Sequence, residues 1–242
     1  MGKSEYQKMF EAENDYFWFV AKQRLVERMV GRLGLPKDPV ILDLGCGTGV
    51  NLKNLEKFGF ALGLDYFAEA FQYCARRNCR SLVTATQEIL PFRDADLDLV
   101  VSLDTIEHTE APGKMIAEIF RTLKPGGYLL ITVPAYQPLY SRHDHALGHK
   151  LRYRKRGLAE LVTGRGFELK RSGHFYGLVF PAALGLKVLQ KFFGSQTETI
   201  PYYLPFPLNQ ILRALCRLEV WLFPYFRLPF GTTLVFLCQK PV

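Results

Sequence analysis

An α/β fold built on a mostly parallel sheet is predicted, and three stretches carry the prediction. The first is Val40-Ile41-Leu42-Asp43-Leu44, a short apolar run with one acid in it, as expected of a central strand covered on both faces. It runs into Gly45-Cys46-Gly47-Thr48-Gly49, where glycines at alternate positions let the backbone turn sharply and keep side chains away from a ligand. The second stretch, Ala61 to Asp65, is a strand ending in an acid, placed where a carboxylate can accept both hydrogen bonds of a ribose diol. The third is Leu97 to Ser102, apolar enough to lie centrally.

The remaining elements follow in order. Residues 5 to about 33 have helical spacing, with the aromatic cluster Tyr16-Phe17-Trp18-Phe19 near the start. Packing against the domain is the expected role of that cluster. Val50 to Leu55 is a helix opening from the glycine loop, so its first amides face the crevice. Residues 67–78 form a helix, Ser81 to Thr84 a third strand, and Met115 to Leu123 a helix. Lys124-Pro125-Gly126-Gly127 is read as the turn that stops it before a fifth strand, Tyr128 to Val133. Gly157 to Gly166 is helical, Phe167 to Gly173 is a sixth strand, and Thr232 to Lys240 is a seventh. Between the last two lie roughly sixty residues, far beyond an ordinary connection. They hold two apolar helices, over 177–193 and over Ile211 to Phe223, bridged by aromatic and proline residues.

Charge is unevenly spread. Residues 1–149 hold 17 Lys+Arg and 19 Asp+Glu, whereas residues 150–242 hold 14 and 4, within an overall formal charge of +8. A basic C-terminal part suits an anionic partner such as a membrane surface. Five cysteines, Cys46, Cys74, Cys79, Cys216 and Cys238, offer no paired metal spacing, so reduced thiols and a cytoplasmic setting are expected. A polar, charged start argues against a signal peptide, and no apolar run is long enough for a membrane-spanning helix.

The third glycine of Gly45-Cys46-Gly47-Thr48-Gly49 comes one residue earlier than in the dinucleotide fingerprint, which points to an adenosine-type ligand without a pyrophosphate. With Asp65 and the Leu-Lys-Pro-Gly-Gly form at residues 123–127, the sequence resembles the class I S-adenosylmethionine-dependent methyltransferases, in their type 11 branch, over roughly residues 38–173. The resemblance implies a Rossmann-like seven-stranded sheet with the seventh strand antiparallel, helices on both faces and an N-terminal helical cap over 1–36; where the common form of the fold has a short hairpin connection, residues 174–231 are read as an apolar insertion. It implies a single methyltransferase domain over 1–242, with S-adenosylmethionine held by Asp43, Gly45, Cys46, Gly47, Gly49, Asp65 and Tyr66, by the turn at Thr86, Gln87 and Glu88, and by Leu103 and Asp104. Thr86 stands where the family usually has an acid, which leaves the Gln87 amide as the adenine contact. Glu107 and His108 resemble a Glu-His pair common in the branch.

Beyond Val133 the segment from Tyr136 to Tyr153 holds three of the five histidines. It resembles a subgroup with a His-Asp-x-x-x-Gly-His-x-x-Arg-Tyr signature. Histidine can take a proton from an attacking hydroxyl or amine, so His143, His149 and His108 are the catalytic candidates. Tyr136, Tyr140, Arg152 and Tyr153 are the substrate candidates, Arg152 as partner for a phosphate or carboxylate. A loop ordered by histidine hydrogen bonds is the structural alternative; a metal site is not expected. The function expected is methyl transfer to a hydrophobic or lipid-linked acceptor at the cytoplasmic membrane face. Three alternatives stand beside it: a soluble small-molecule acceptor with the insertion as lid or dimer contact, RNA methylation, for which no recognisable module is present, and a non-catalytic S-adenosylmethionine-binding protein.

Overall fold

The computed structural model describes residues 3–181, 184–185 and 202–242. Its seven strands are β1 (Val40–Leu44), β2 (Phe60–Asp65), β3 (Leu82–Thr84), β4 (Leu97–Leu103), β5 (Leu123–Pro134), β6 (Glu168–Phe175) and β7 (Thr233–Gln239). They form one sheet in the order β3-β2-β1-β4-β5-β7-β6, in which β7 alone runs antiparallel to its neighbours. The chain leaves β1 toward β2 and later returns to add β4 on the other side. The crevice outside the carboxyl ends of β1 and β4 is therefore the place where such a sheet takes a ligand.

Period-two alternation gives the sheet two apolar faces. Ile41, Leu99, Val101 and Leu130 lie in one core with α2 (Phe17–Val30) and α8 (Phe206–Leu222). Leu42, Leu44, Val100 and Leu129 lie in the other with α5 (Pro112–Thr122) and α7 (Lys155–Thr163).

Several boundaries differ from the sequence reading, each for a local reason. The N-terminal helix is two helices, α1 (Lys3–Ala12) and α2, broken at Glu13 to Tyr16. Tyr16 supplies no side-chain cap to α2. Asn209 of α8 does so instead, its Oδ1 accepting from the Phe17 amide at 3.0 Å while its Nδ2 donates to the Asp15 carbonyl. The cap comes from 192 residues away, so no local signal announces it. The Pro125-Gly126-Gly127 turn is drawn into β5: the Gly126 amide donates to the Lys240 carbonyl and the Gln239 side chain donates to the Gly126 carbonyl, extending the ladder past the proline. The 67–78 helix is a 3-10 turn followed by α4 (Phe71–Arg76). A helix, α6 (Arg142–Leu147), interrupts the histidine segment, started by a capping box in which Ser141 and Asp144 bond each other's backbone.

Of the insertion, the second expected helix is present as α8, which starts earlier than expected, at Phe206. The first, over 177–193, lies largely outside the described residues. The buried carboxylate of Glu219 ties α8 to the chain leaving β6, accepting from the amides of Gly177 and Leu178 at 2.9 and 3.1 Å.

Candidate active site

The glycine loop is built by its backbone. The amides of Gly45 and Cys46 donate to the Leu64 carbonyl at 2.7 and 3.0 Å, the Gly49 amide to the Cys46 carbonyl, and the Gly47 amide to Asp65 Oδ2 at 2.9 Å. With these four donors occupied, the Thr48 amide is the loop amide left, too few for the nest of successive amides that a pyrophosphate needs. Gly45 sits at φ +80°, and a Cβ there would lie 2.4 Å from Thr105 Oγ1. Gly47, at φ +52°, has nothing within 4 Å of a would-be Cβ, so it leaves room beside the loop. Asp65 is fixed at the end of β2 by the amides of Gly47 and Phe67, one to each carboxylate oxygen. Each oxygen keeps a lone pair for a hydroxyl.

A cavity of about 400 Å³ opens from this loop along the crevice. Its first half is acidic. Glu13 and Asp43 are both pushed up to about 7, chiefly by burial. Burial and the neighbouring Asp65 act on Asp43, whose Oδ2 lacks a hydrogen-bond partner among the described residues. Glu13, from the break between α1 and α2, accepts from Thr48 and from Arg77 at 2.9 Å, so the N-terminal segment is bonded to the glycine loop.

These raised values set the sign of a pH effect. At these two groups the folded state holds protons that the unfolded chain has released, so their contribution to stability is fully present below about pH 4 and is lost as pH rises toward 7. Urea unfolding of Asp43→Asn between pH 4 and 7 is expected to show a shallower fall than the wild type. An unchanged slope would remove Asp43 as a cause.

At mid-cleft Lys22 of α2 forms an ion pair with Asp104, whose other oxygen accepts from Thr132 Oγ1 at 2.8 Å. Against the raising effect of burial, Lys22 holds the Asp104 carboxyl below its ordinary range. Asp104 and Tyr176 both adopt positive φ, at 49° and 63°. Such strain in a bulky residue persists where surroundings over-determine it: the Tyr176 ring stacks on Trp18 at 3.7 Å and its hydroxyl donates to the Trp18 carbonyl.

The far half holds Leu139, His143, Leu147, Phe180 and Leu184, while Tyr202 stands edge-on to Tyr16 and Phe19 at the capped side. Its floor is polar. Glu107, in a 3-10 turn after β4, is wholly buried, and its carboxyl is raised well above its ordinary value, chiefly by burial and then by Asp104. His149 Nε2 lies 3.9 Å from Glu107 Oε1, and His149 Nδ1 lies 3.0 Å from Asp144 Oδ1. Asp144 also accepts from Arg152 Nε at 2.8 Å and Nη2 at 3.0 Å. Although burial opposes it, the hydrogen bonds from His149 and Arg152 hold the Asp144 carboxyl well below the carboxylate range. His108 is lowered to about 4, by burial and by His149, and is neutral near pH 7.

The expected site residues divide by position. Asp43, Gly45, Cys46, Gly47, Asp65, Gln87, Leu103, Asp104, His108, His143, His149 and Arg152 all line the cavity. Gly49 stands behind the loop, packed on Cys74. Tyr66 is exposed and Glu88 bonds Thr109; these two and Thr86 lie outside the cavity lining. Of the substrate candidates, Tyr136 bonds His174, Tyr140 donates to the His149 carbonyl and Tyr153 to the Ile106 carbonyl, while Arg152 pairs with Asp144 inside the chain. Glu13 and Lys22 are cleft residues that the sequence reading missed. For Lys22 a signal was present, since it lies one helical turn from Trp18 within the apolar face of α2.

The profile of the methyltransferase domain family matches residues 42–131, from β1 into β5. This chain carries a class I S-adenosylmethionine-dependent methyltransferase domain. The methyltransferase domain is 31% identical over 69% of this chain to a Mycolicibacterium smegmatis protein named a probable S-adenosylmethionine-dependent methyltransferase, covering 65% of that protein. It is 32% identical over 54% of this chain, and 52% of the relative, to the malonyl-[acyl-carrier protein] O-methyltransferase of Marinomonas. It is 32% identical over 56% of this chain, and 30% of the relative, to the Bos taurus protein named probable tRNA methyltransferase 9B. The chain thus spans less than two thirds of the length of these curated relatives. Among solved structures, a Haloferax volcanii methyltransferase in complex with the Trm112 methyltransferase activator superposes with a TM-score of 0.65 at 20% identity, covering 99% of this chain and 94% of that one. A Haemonchus contortus phosphoethanolamine N-methyltransferase in complex with S-adenosyl-L-methionine gives 0.60 at 18% identity, covering 91% and 53%. The methyltransferase fold is common to this chain and both structures.

The residues present fit S-adenosylmethionine. Four of the five loop amides are engaged within the chain, Asp65 suits a ribose diol, and the acidic half of the cleft suits a ligand that carries a sulfonium and an ammonium.

Proposed function

We propose that this protein transfers a methyl group from S-adenosylmethionine to a hydrophobic or lipid-linked acceptor. The observation that carries the reading is the continuity of one cavity from the glycine loop and Asp65 into a half walled by Leu139, Leu147, Phe180 and Leu184. Asp65 holds the ribose, the Gln87 backbone meets the adenine, and the acids of the near half favour the cationic end of the cofactor. When bound, S-adenosylmethionine supplies an electrophilic methyl group on sulfur. The chain's own contribution is to hold the acceptor's nucleophilic atom close to that end and aligned with it, and to exclude water. α1 and α2 form the cap, with Tyr16 and Trp18 on the cavity wall. The apolar half takes the acceptor's body, and the polar floor at His108 and His149 takes its reacting end, with His143 on the wall beside it.

α8 supports an anionic membrane surface as the place of action. Leu208, Ile211, Leu215, Leu218 and Trp221 recur at helical spacing and all are exposed, with Tyr225 and Phe226 continuing the strip. The basic residues Arg24, Arg213 and Arg217 cluster beside it, and Arg28 and Arg32 bond the Trp221 carbonyl and the Tyr225 hydroxyl. An apolar strip edged by arginines is the composition of a helix that lies in a lipid interface. No helix among the described residues is long and apolar enough to cross a membrane.

The test supplies methyl-labelled S-adenosylmethionine with vesicles of mixed anionic lipid extract, a soluble small-molecule extract and bulk RNA in separate reactions. Label is expected in the organic phase of the first. Label confined to the aqueous small-molecule fraction or to RNA would overturn the lipid acceptor.

A further inference from the structure

Among the described residues, Glu107 is the one carboxylate of the cleft floor left without a counter-charge in hydrogen-bond contact. Lys22 is paired with Asp104 and Arg152 with Asp144. Apart from its own backbone amide, no donor among the described residues reaches either Glu107 oxygen, and the side chain is 0% exposed. A buried, unpartnered carboxylate is costly unless something else meets it.

What faces it is a pair of imidazoles, each with one nitrogen already held. His149 Nδ1 is bonded to Asp144 Oδ1 at 3.0 Å, and Asp144 is itself gripped by Arg152 and by the Ser141 amide and hydroxyl. His108 Nδ1 lies 3.3 Å from the Gly148 carbonyl, which can only accept, so this nitrogen carries the proton. In the neutral form of each ring the second nitrogen is thereby left with its lone pair. Carboxylate or carbonyl behind the far nitrogen is how a metal-ligating histidine is oriented. One ligand atom from each of Glu107, His108 and His149 lies within 4.8 Å of the other two. The two rings meet edge to face at 4.9 Å, so the third ligand need not pass through either. The Lys150 amide donates to the Glu107 carbonyl at 2.7 Å, which pins the His149 segment onto the turn that carries Glu107 and His108.

We propose that Glu107, His108 and His149 form a binding site for one divalent transition-metal ion of the zinc class, open toward the acceptor half of the cleft. Two histidines and one carboxylate are a donor set such ions take, and three protein ligands leave a coordination position free. Ligand atoms around an ion at about 2.1 Å stand roughly 3.4 Å apart, so binding draws the present trio together by about an ångström, within reach of side-chain rotation. In an enzyme of the kind proposed above, such an ion would polarise an acceptor oxygen and lower its pKa, a role that rests on the methyltransferase reading. Binding of the ion does not rest on it.

The experiment treats the full chain with a chelator, dialyses it, and titrates it with Co2+ and with Zn2+ while S-adenosylmethionine binding is measured separately by calorimetry. One Co2+ per chain with visible d-d absorption, displaced by Zn2+, is expected. Glu107→Gln and His149→Ala are expected to weaken the metal by on the order of 100-fold, with circular dichroism unchanged, while His145→Ala, exposed and outside the trio, leaves it as in the wild type. Sub-stoichiometric binding, or wild-type affinity in the Glu107→Gln/His149→Ala double variant, would overturn the site. Loss of S-adenosylmethionine binding with metal binding intact would count against the methyltransferase reading alone.

Discussion

Alanine at Gly45 is expected to destabilise the fold by about 2–5 kcal/mol and to abolish cofactor binding, because two penalties fall on one atom. The residue sits at φ +80°, where an L side chain costs about 1–2 kcal/mol. Its Cβ would also lie 2.4 and 2.7 Å from the Oγ1 and Cγ2 of Thr105, and overpacking of a filled site costs about 1–3 kcal/mol. Thr105 cannot move away freely, since its hydroxyl donates to the carbonyl of Leu44 or Leu103, both at 3.1 Å, and its side chain is buried. Relief would come from shifting the loop, which would pull the Gly45 and Cys46 amides off Leu64 and tilt Asp65. Urea unfolding measures the first effect and calorimetry the second. A Gly45→Ala protein as stable as the wild type and binding the cofactor equally well would refute this account of the loop.

Truncation of Asp144 to alanine has an effect of similar size by a different route. The carboxylate is fully buried and serves Arg152, His149 and the start of α6 at once. Removing one partner of a buried ion pair costs about 3–5 kcal/mol, because the other charge is left uncompensated, and losing a helix cap adds about 1 kcal/mol. Chemical unfolding should show a lower midpoint with an unchanged slope. In an Arg152→Ala background the same truncation should cost markedly less, since the stranded guanidinium is gone. A cost below about 1 kcal/mol in the wild-type background, the range of an exposed pair, would contradict the buried role.

How far these residues could be read from sequence depended on the range of the interactions that place them. β1, β2 and β4 were legible because strands buried on both faces need continuous apolar runs, and the glycine loop because positive φ and close approach select glycine. Asp65 was legible by its place at the end of β2. The capping box at Ser141 and Asp144 was also there to be found, as a serine three residues before an acid. By contrast, Asn209 caps a helix 192 residues away, and the Glu13 bond to Thr48 joins segments that nothing local connects. Glu107 and His108 were read as a family pair, and His149 as a candidate base. Their convergence is a product of the sheet, which brings the turn after β4 and the segment after β5 to one end of the crevice. The isolation of Glu107 is a property of what fails to reach it, and only the fold reveals that.

The crevice at the ends of β1, β2 and β4 is expected to hold S-adenosylmethionine through the glycine loop and Asp65. Calorimetric titration of the purified chain with S-adenosylmethionine, in parallel with Asp65→Ala, tests it most directly. Saturable binding of one molecule per chain, lost or strongly weakened in Asp65→Ala, is the predicted result; no saturable binding by the folded wild type, or equal binding by the variant, would contradict it.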